Sequence, residues 1–120
     1  MNKSFTKVVE GDNAYNLELN KDADNSCKLD YKVDDVTKGK TYEYKFDMND
    51  INVYKINFNS RGQEATVHLE TKGEKKYIEI LEQGASKGYD NSVDLKAQNI
   101  EDARLISEAF KKLSAYCSEN

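Results

Sequence analysis

Apolar and polar residues alternate with a period of two over most of the chain. Residues at alternate positions lie on one face of a strand, so each alternating segment predicts a strand with one buried face. Seven segments show the pattern, with their apolar residues within 15–19, 27–33, 42–46, 54–58, 65–69, 77–81 and 93–97. Short polar turns separate them, which predicts a continuous antiparallel meander and requires no parallel crossover.

The period changes near the end of the chain. From Asn99 onward the apolar residues are spaced by three and four, as one stripe of an α-helix requires: Ile100, Ala103, Ile106, Ala109, Phe110, Leu113 and Cys117. Asn99 is a favourable N-cap, and the acids and lysines of this segment suit the helix dipole. By contrast, residues 1–12 show no clear period and are expected to form a loose leading segment. The pattern therefore predicts an α+β fold with one C-terminal helix.

Composition limits the size of the core. Leu, Ile, Val and Phe supply only 25 of the 120 residues, and the eight tyrosines must complete the apolar interior. Two domains of half this length would each lack apolar area. We therefore expect a single domain over residues 13–117.

Several classes of partner are disfavoured by charge and hydropathy. The net charge is −4 with the signs interspersed, and only two arginines are present, whereas a nucleic-acid reader carries a basic stripe. No apolar run reaches the length of a membrane-spanning helix. The first residues also lack the apolar stretch of a signal peptide, so none is expected within this chain.

The order of seven strands and a closing helix resembles the pleckstrin-homology-like superfold, a strongly bent sheet or partial barrel. Two runs, YEYKFDMNDIN (residues 42–52) and NSVDLKAQNIEDARLISEAFKKL (residues 91–113), resemble a poorly characterised bacterial domain of secreted or envelope proteins. The resemblance implies an extracytoplasmic location if an upstream signal is removed, and a cytoplasmic one otherwise. It transfers no functional residues, because its motifs are structural. The chain also departs from membrane-binding pleckstrin-homology domains, since its turn at 20–25 is acidic where they carry basic residues for inositol phosphates.

The two cysteines leave two alternatives open. Cys27 and Cys117 both fall on predicted inward faces, where free thiols would pack as small apolar residues. A disulfide between them would suit the secreted location that the resemblance implies, and it would close a loop of about 90 residues.

Residues that could support catalysis or metal binding lack suitable companions. His68 is the only histidine, and alternation turns it away from the core. Asp22 and Asp24 begin like a calcium loop, but a loop that starts at Asp22 has Cys27 and Val33 where glycine and glutamate are required. We therefore expect no metal site and no cofactor.

Acid pairs offer a third route to chemistry. Asp34 with Asp35, and Asp47 with Asp50, could in principle act as acid and base, but both pairs flank predicted turns. An enzyme is therefore not expected, unless acids from distant strands meet in one pocket.

Aromatic residues are the remaining candidates for contact with a partner. Tyr42, Tyr44 and Phe46 are needed for the core, whereas Tyr89 lies in a loop with two glycines and has few structural duties there. These considerations favour a non-catalytic module that binds a protein or peptide through a sheet edge or loop surface that includes Tyr89. A carrier of a small ligand or lipid is the alternative.

Overall fold

A computed structural model describes residues 3–62 and 64–118 and gives an α+β architecture. Its strands are antiparallel and form two sheets, and one helix follows them. The elements are β1 (Lys3–Glu10), β2 (Asn13–Lys21), β3 (Lys28–Asp35), β4 (Lys40–Asp47), β5 (Asn57–Arg61), β6 (Glu64–Glu70), β7 (Ile78–Glu82), β8 (Ala85–Asp90), β9 (Ser92–Ala97) and α1 (Ile100–Ser118). Short 3₁₀ turns lie at 48–50, 53–55 and 72–74.

The strands do not form the continuous meander that the sequence predicts. β1 to β4 follow one another in a six-stranded sheet, but the next strands in that sheet are β7 and β8. β5 and β6 form a hairpin in a three-stranded sheet, which β9 completes by pairing with β6. The chain therefore changes sheet three times after β4, and the six-stranded sheet stays open, with β1 and β8 at its edges.

Three local predictions are corrected. The segment expected to be loose contains β1, which pairs with β2 along its whole length. The loop expected at 83–91 contains β8, which forms a hairpin with β7. Tyr54, expected in the fourth strand, lies in the 3₁₀ turn at 53–55, and its side chain is 95% exposed. In the first two cases strand pairing organises segments that show no alternation of their own.

The predicted inward faces form the core. Leu29, Tyr31 and Val33 of β3 are buried, as are Val67 and Leu69 of β6. Phe46 is also buried, while Tyr42 and Tyr44 are half-buried and pack against the core. The tyrosines thus complete a core that is short of aliphatic side chains.

Helix α1 packs against β5, β6, β9 and the turn at 48–50. Its N-cap is confirmed, because the Asn99 Oδ1 accepts a hydrogen bond from the Asp102 N–H at 2.8 Å. Its buried face differs from the prediction: Ile100 and Ala109 are exposed, whereas Ser107 and Ser114 are buried. The buried face of the helix therefore includes two small polar side chains.

Cys27 and Cys117 are joined by a disulfide, with their Cα atoms 6.0 Å apart. Cys27 directly precedes β3, and Cys117 lies in the last turn of α1. The bond therefore fixes the end of the helix to the six-stranded sheet, and it selects one of the two alternatives that the sequence leaves open.

Disulfide removal tests how much the fold depends on this link. We expect Cys27→Ala with Cys117→Ala to lower the free energy of unfolding by about 2–5 kcal/mol, because the unfolded chain regains the entropy of a 90-residue loop. Urea denaturation of the oxidised protein, the reduced protein and the double variant measures the loss. Reduction and mutation should have similar effects. Two reactive thiols in the denatured, unreduced protein would contradict the bond.

Candidate functional site

Side chains that oppose one another across the six-stranded sheet form a polar row on its outer face. The strand registers pair Asn20 with Asp30, Asp30 with Lys45, Lys45 with Glu79, and Glu79 with Tyr89. Directly opposed residues point to the same face of a sheet, with side-chain bases about 4.5–5.5 Å apart. The row therefore brings residues from five strands, β2, β3, β4, β7 and β8, to one surface.

This row lines a groove of about 480 Å³, called here the outer-face groove. Asp47 at the end of β4 and Asp50 in the turn after it form one border. Lys21 at the end of β2, Asp22 in the following turn and Lys28 at the start of β3 form another. Because Cys27 lies in the same β2–β3 connection, the disulfide fixes this border of the groove to α1.

Two tyrosines line the groove on the β7–β8 side. Tyr89 is in β8 and 58% exposed, and Tyr77 directly precedes β7 and is 46% exposed. The sequence predicts that Tyr89 contacts a partner. The structure places it on an edge strand rather than in a loop.

Asp30 lies beside Glu43, which is two residues before Lys45 on β4 and points to the same face. Burial, followed by the hydrogen bond to Glu43 and its negative charge, raises the pKa of Asp30 to about 7, although Lys32 and Lys45 oppose the shift. The Oδ1 atom of Asp30 is buried and accepts no hydrogen bond from the described residues. Protonated Asp30 can donate a hydrogen bond to Glu43. The proton removes both the cost of burying the Asp30 charge and the repulsion between the two carboxylates.

Several acids named from the sequence have structural hydrogen bonds. Asp22 accepts from the N–H groups of residues 24 and 25, Asp47 caps the turn at 48–50, and Asp35 accepts from the Lys38 N–H. Asp22, Asp47 and Asp50 nevertheless border the outer-face groove, whereas Asp34 and Asp35 do not line it. The pKa of Asp50 is raised by burial and by the negative charge of Asp47.

His68 lies on the outer face of the three-stranded sheet, as alternation predicts. Its Nδ1 is 2.6 Å from an Asp94 oxygen across the β6–β9 pair, and its Nε2 is 2.9 Å from a Glu70 oxygen. Lys55 in turn forms an ion pair with Glu70 at 3.4 Å. Burial lowers the pKa of His68, but the two carboxylates outweigh it and the net pKa is raised. Both ring nitrogens are therefore occupied by structural partners.

Asp30, Glu79 and Tyr77 line the groove and Glu43 lies beside Asp30, and the sequence singles out none of these four for the site. Their outward orientation follows from alternation. The β3–β4 pair brings Asp30 beside Glu43, whereas the proximity of Glu79 and Tyr77 depends on the pairing of β4 with β7. Thirty residues separate these two strands, and they include β5 and β6 of the other sheet. Only knowledge of that pairing could have brought Glu79 and Tyr77 to the other two residues.

Replacing Asp30 tests the carboxyl pair. Between pH 4 and pH 7 the folded chain holds a proton on Asp30 that the unfolded chain releases, so stability from this group falls as pH rises. We expect Asp30→Asn to gain stability relative to the wild type across this window, since the amide can donate to Glu43 at every pH. Urea denaturation at pH 4, 5.5 and 7 measures the difference. Asp34→Asn, an exposed change on the same strand, serves as the control, and a pH-independent difference for Asp30→Asn would contradict the shared proton.

Replacing His68 tests the cluster that it forms with Asp94 and Glu70. As for Asp30, the stabilising contribution is lost as pH rises, but at higher pH. The raised pKa means that protonated His68 stabilises the fold below about pH 6.5, and this contribution is lost as pH rises through the folded value. His68→Gln should therefore cost most at pH 6 and least at pH 8.5. The loss should stay below about 1 kcal/mol, because the cluster is partly exposed. Thermal unfolding at both pH values measures it, and an equal loss at both would contradict the cluster's charge.

Comparisons with known proteins give no match to this chain among protein-family models, curated proteins or solved structures. Within the described residues, no helix is long and apolar enough to cross a membrane, and no group of three or more His, Cys, Asp or Glu side chains could hold a metal ion.

Proposed function

We propose that this chain is a non-catalytic module that binds a protein or peptide, and that the outer-face groove is its contact surface. The supporting observation is the pair of exposed tyrosines, Tyr77 and Tyr89, on one side of a 480 Å³ groove. Tyrosine is enriched in protein interfaces, because its ring buries a large area at low entropic cost and its hydroxyl tolerates water.

The shape of the groove favours a chain segment over a small molecule. It lies on the outer face of an open sheet and includes Tyr89 of the edge strand β8. An extended peptide could therefore lie beside that edge. A carrier for a lipid or small ligand receives less support, since the recess lined by Leu17, Leu19 and Ile106 has a volume of only about 100 Å³.

The carboxyls of the groove support binding rather than hydrolysis. Acids from several strands do meet there, but Asp22 and Asp47 accept hydrogen bonds from the backbone. Asp30 and Glu43 are in hydrogen-bonding contact, whereas glycoside hydrolysis uses carboxyls about 5 Å or more apart.

We also propose a pleckstrin-homology-like fold and an extracytoplasmic location for this chain. Two antiparallel sheets and a C-terminal helix support a pleckstrin-homology-like arrangement in which the chain crosses between sheets after β4. The disulfide supports an oxidising, extracytoplasmic compartment, where such bonds persist.

Selection of random twelve-residue peptides on the folded protein tests the function. We expect enriched peptides to bind Tyr77→Ala with Tyr89→Ala about thirtyfold more weakly than the wild type, a loss of about 2 kcal/mol for removal of two aromatic contacts. Isothermal titration calorimetry measures the dissociation constants.

Tyr54→Ala is the matched control, because Tyr54 is 95% exposed and does not line the groove. It should leave binding unchanged. Equal affinity of the wild type and the double variant for every enriched peptide would refute the proposal, as would a selection that enriches no peptide.

A further inference from the structure

The charges that line the outer-face groove are unbalanced. Five carboxyls and three lysines contribute to it: Asp22, Asp30, Asp47, Asp50 and Glu79 against Lys21, Lys28 and Lys45. Even when Asp30 holds the proton that it shares with Glu43, four acidic side chains face three lysines, so the groove keeps a surplus of negative charge. The groove therefore attracts cations and repels anions such as phosphate or an acidic peptide.

The lysines already have acidic neighbours. Lys28 is directly opposite Asp47, and Lys45 lies between Asp30 and Glu79 in the polar row. Among the described residues, no lysine nitrogen comes within 4.0 Å of the Asp50 or Glu79 carboxylate. A cation from a partner can therefore form an ion pair with either acid without displacing a lysine of this chain.

A second observation points to the same excess of negative charge. The pKa of Asp50 is raised by burial and by Asp47, and only Lys72 opposes the shift. The carboxylate is therefore incompletely compensated by the groove's own lysines. A cation seated beside it would remove part of that cost.

The tyrosines define what kind of cation fits. Tyr89 is directly opposite Glu79, and Tyr77 precedes Glu79 by two residues, so aromatic rings and a carboxylate lie side by side. A lysine or arginine side chain matches this combination, because its methylene stem packs on a ring and its charged end reaches the carboxylate. A cation without an apolar stem would not use the rings in this way.

We infer that the outer-face groove receives a partner segment bearing a lysine or arginine side chain, which packs between Tyr77 and Tyr89 and pairs with Glu79 and Asp50. This inference rests on the proposed function and names the chemistry of the partner.

Peptides enriched by selection provide the probes. We expect them to contain lysine or arginine more often than the unselected library. Each lysine is then replaced by norleucine, which keeps the stem and removes the charge, and each arginine by citrulline. One such replacement per peptide should weaken binding about tenfold.

Variants of the protein test the other side of the contact. Asp50→Asn with Glu79→Gln should weaken binding of the basic peptides about tenfold, and it should leave the norleucine and citrulline peptides nearly unaffected. Asp34→Asn with Glu64→Gln is the matched control, since both acids are exposed, lie outside the groove and change the net charge equally. Should the groove variant unfold, Glu79→Gln alone and a titration of the wild type from 50 to 500 mM salt replace it, with weaker binding expected in both.

The results distinguish the inference from the function on which it rests. Peptides that depend on Tyr77 and Tyr89 but show no excess of basic residues, or tolerate norleucine and citrulline without loss, would overturn the inference and leave the function standing. Peptides that bind independently of both tyrosines, or the absence of any enriched peptide, would overturn both.

Discussion

The disulfide between Cys27 and Cys117 connects the parts of the molecule that local structure alone would leave separate. One end lies just before β3 in the six-stranded sheet, and the other lies in the helix that packs against the three-stranded sheet. The Met48 N–H donates to the Cys27 carbonyl at 2.8 Å, so the turn after β4 is attached at the same point. Since this turn and the β2–β3 connection both border the outer-face groove, the bond that stabilises the fold also fixes the shape of the groove.

A covalent link matters here because the apolar interior is small. Polar groups consequently serve as connections between the sheets: Lys96 of β9 forms an ion pair with Glu10 of β1 at 2.9 Å and lies over the ring of Tyr15. The hydroxyl of buried Tyr31 accepts a hydrogen bond from the Lys96 N–H. These polar contacts take the place of apolar area, and each of them stabilises the fold only while its two partners keep the right distance and orientation. The interior is filled in this way, and the larger groove is on the outer face of the sheet.

How far the sequence predicts this structure depends on the range of the interaction concerned. Alternation places Leu29, Val67 and His68 on the correct faces, and the three-to-four spacing identifies α1 and its N-cap, because these patterns are local. β8 is missed since its residues are mostly exposed and it exists only through pairing with β7. The buried serines of α1 are missed for a related reason, since their burial depends on the packing of the helix against other elements and their polarity predicts the opposite. The carboxyl pair depends on the register of β3 with β4, and the full polar row also requires the β4–β7 register, which no local pattern encodes.

The position of the groove follows from the same scarcity of apolar residues. Because the inward positions use most of the large aliphatic side chains, the outward positions of β3 and most of those of β4 are left to charged residues, and paired strands place opposite charges next to each other. Such a face is ordinarily a solvated surface with no preference for a ligand. Here it differs in two respects: Tyr77 and Tyr89 add exposed rings at one border, and the carboxyls outnumber the lysines. In the proposed complex, aromatic area supplies the attraction that does not depend on salt and the surplus charge supplies the selectivity, so the proposal of a basic peptide rests on the combination rather than on either feature alone.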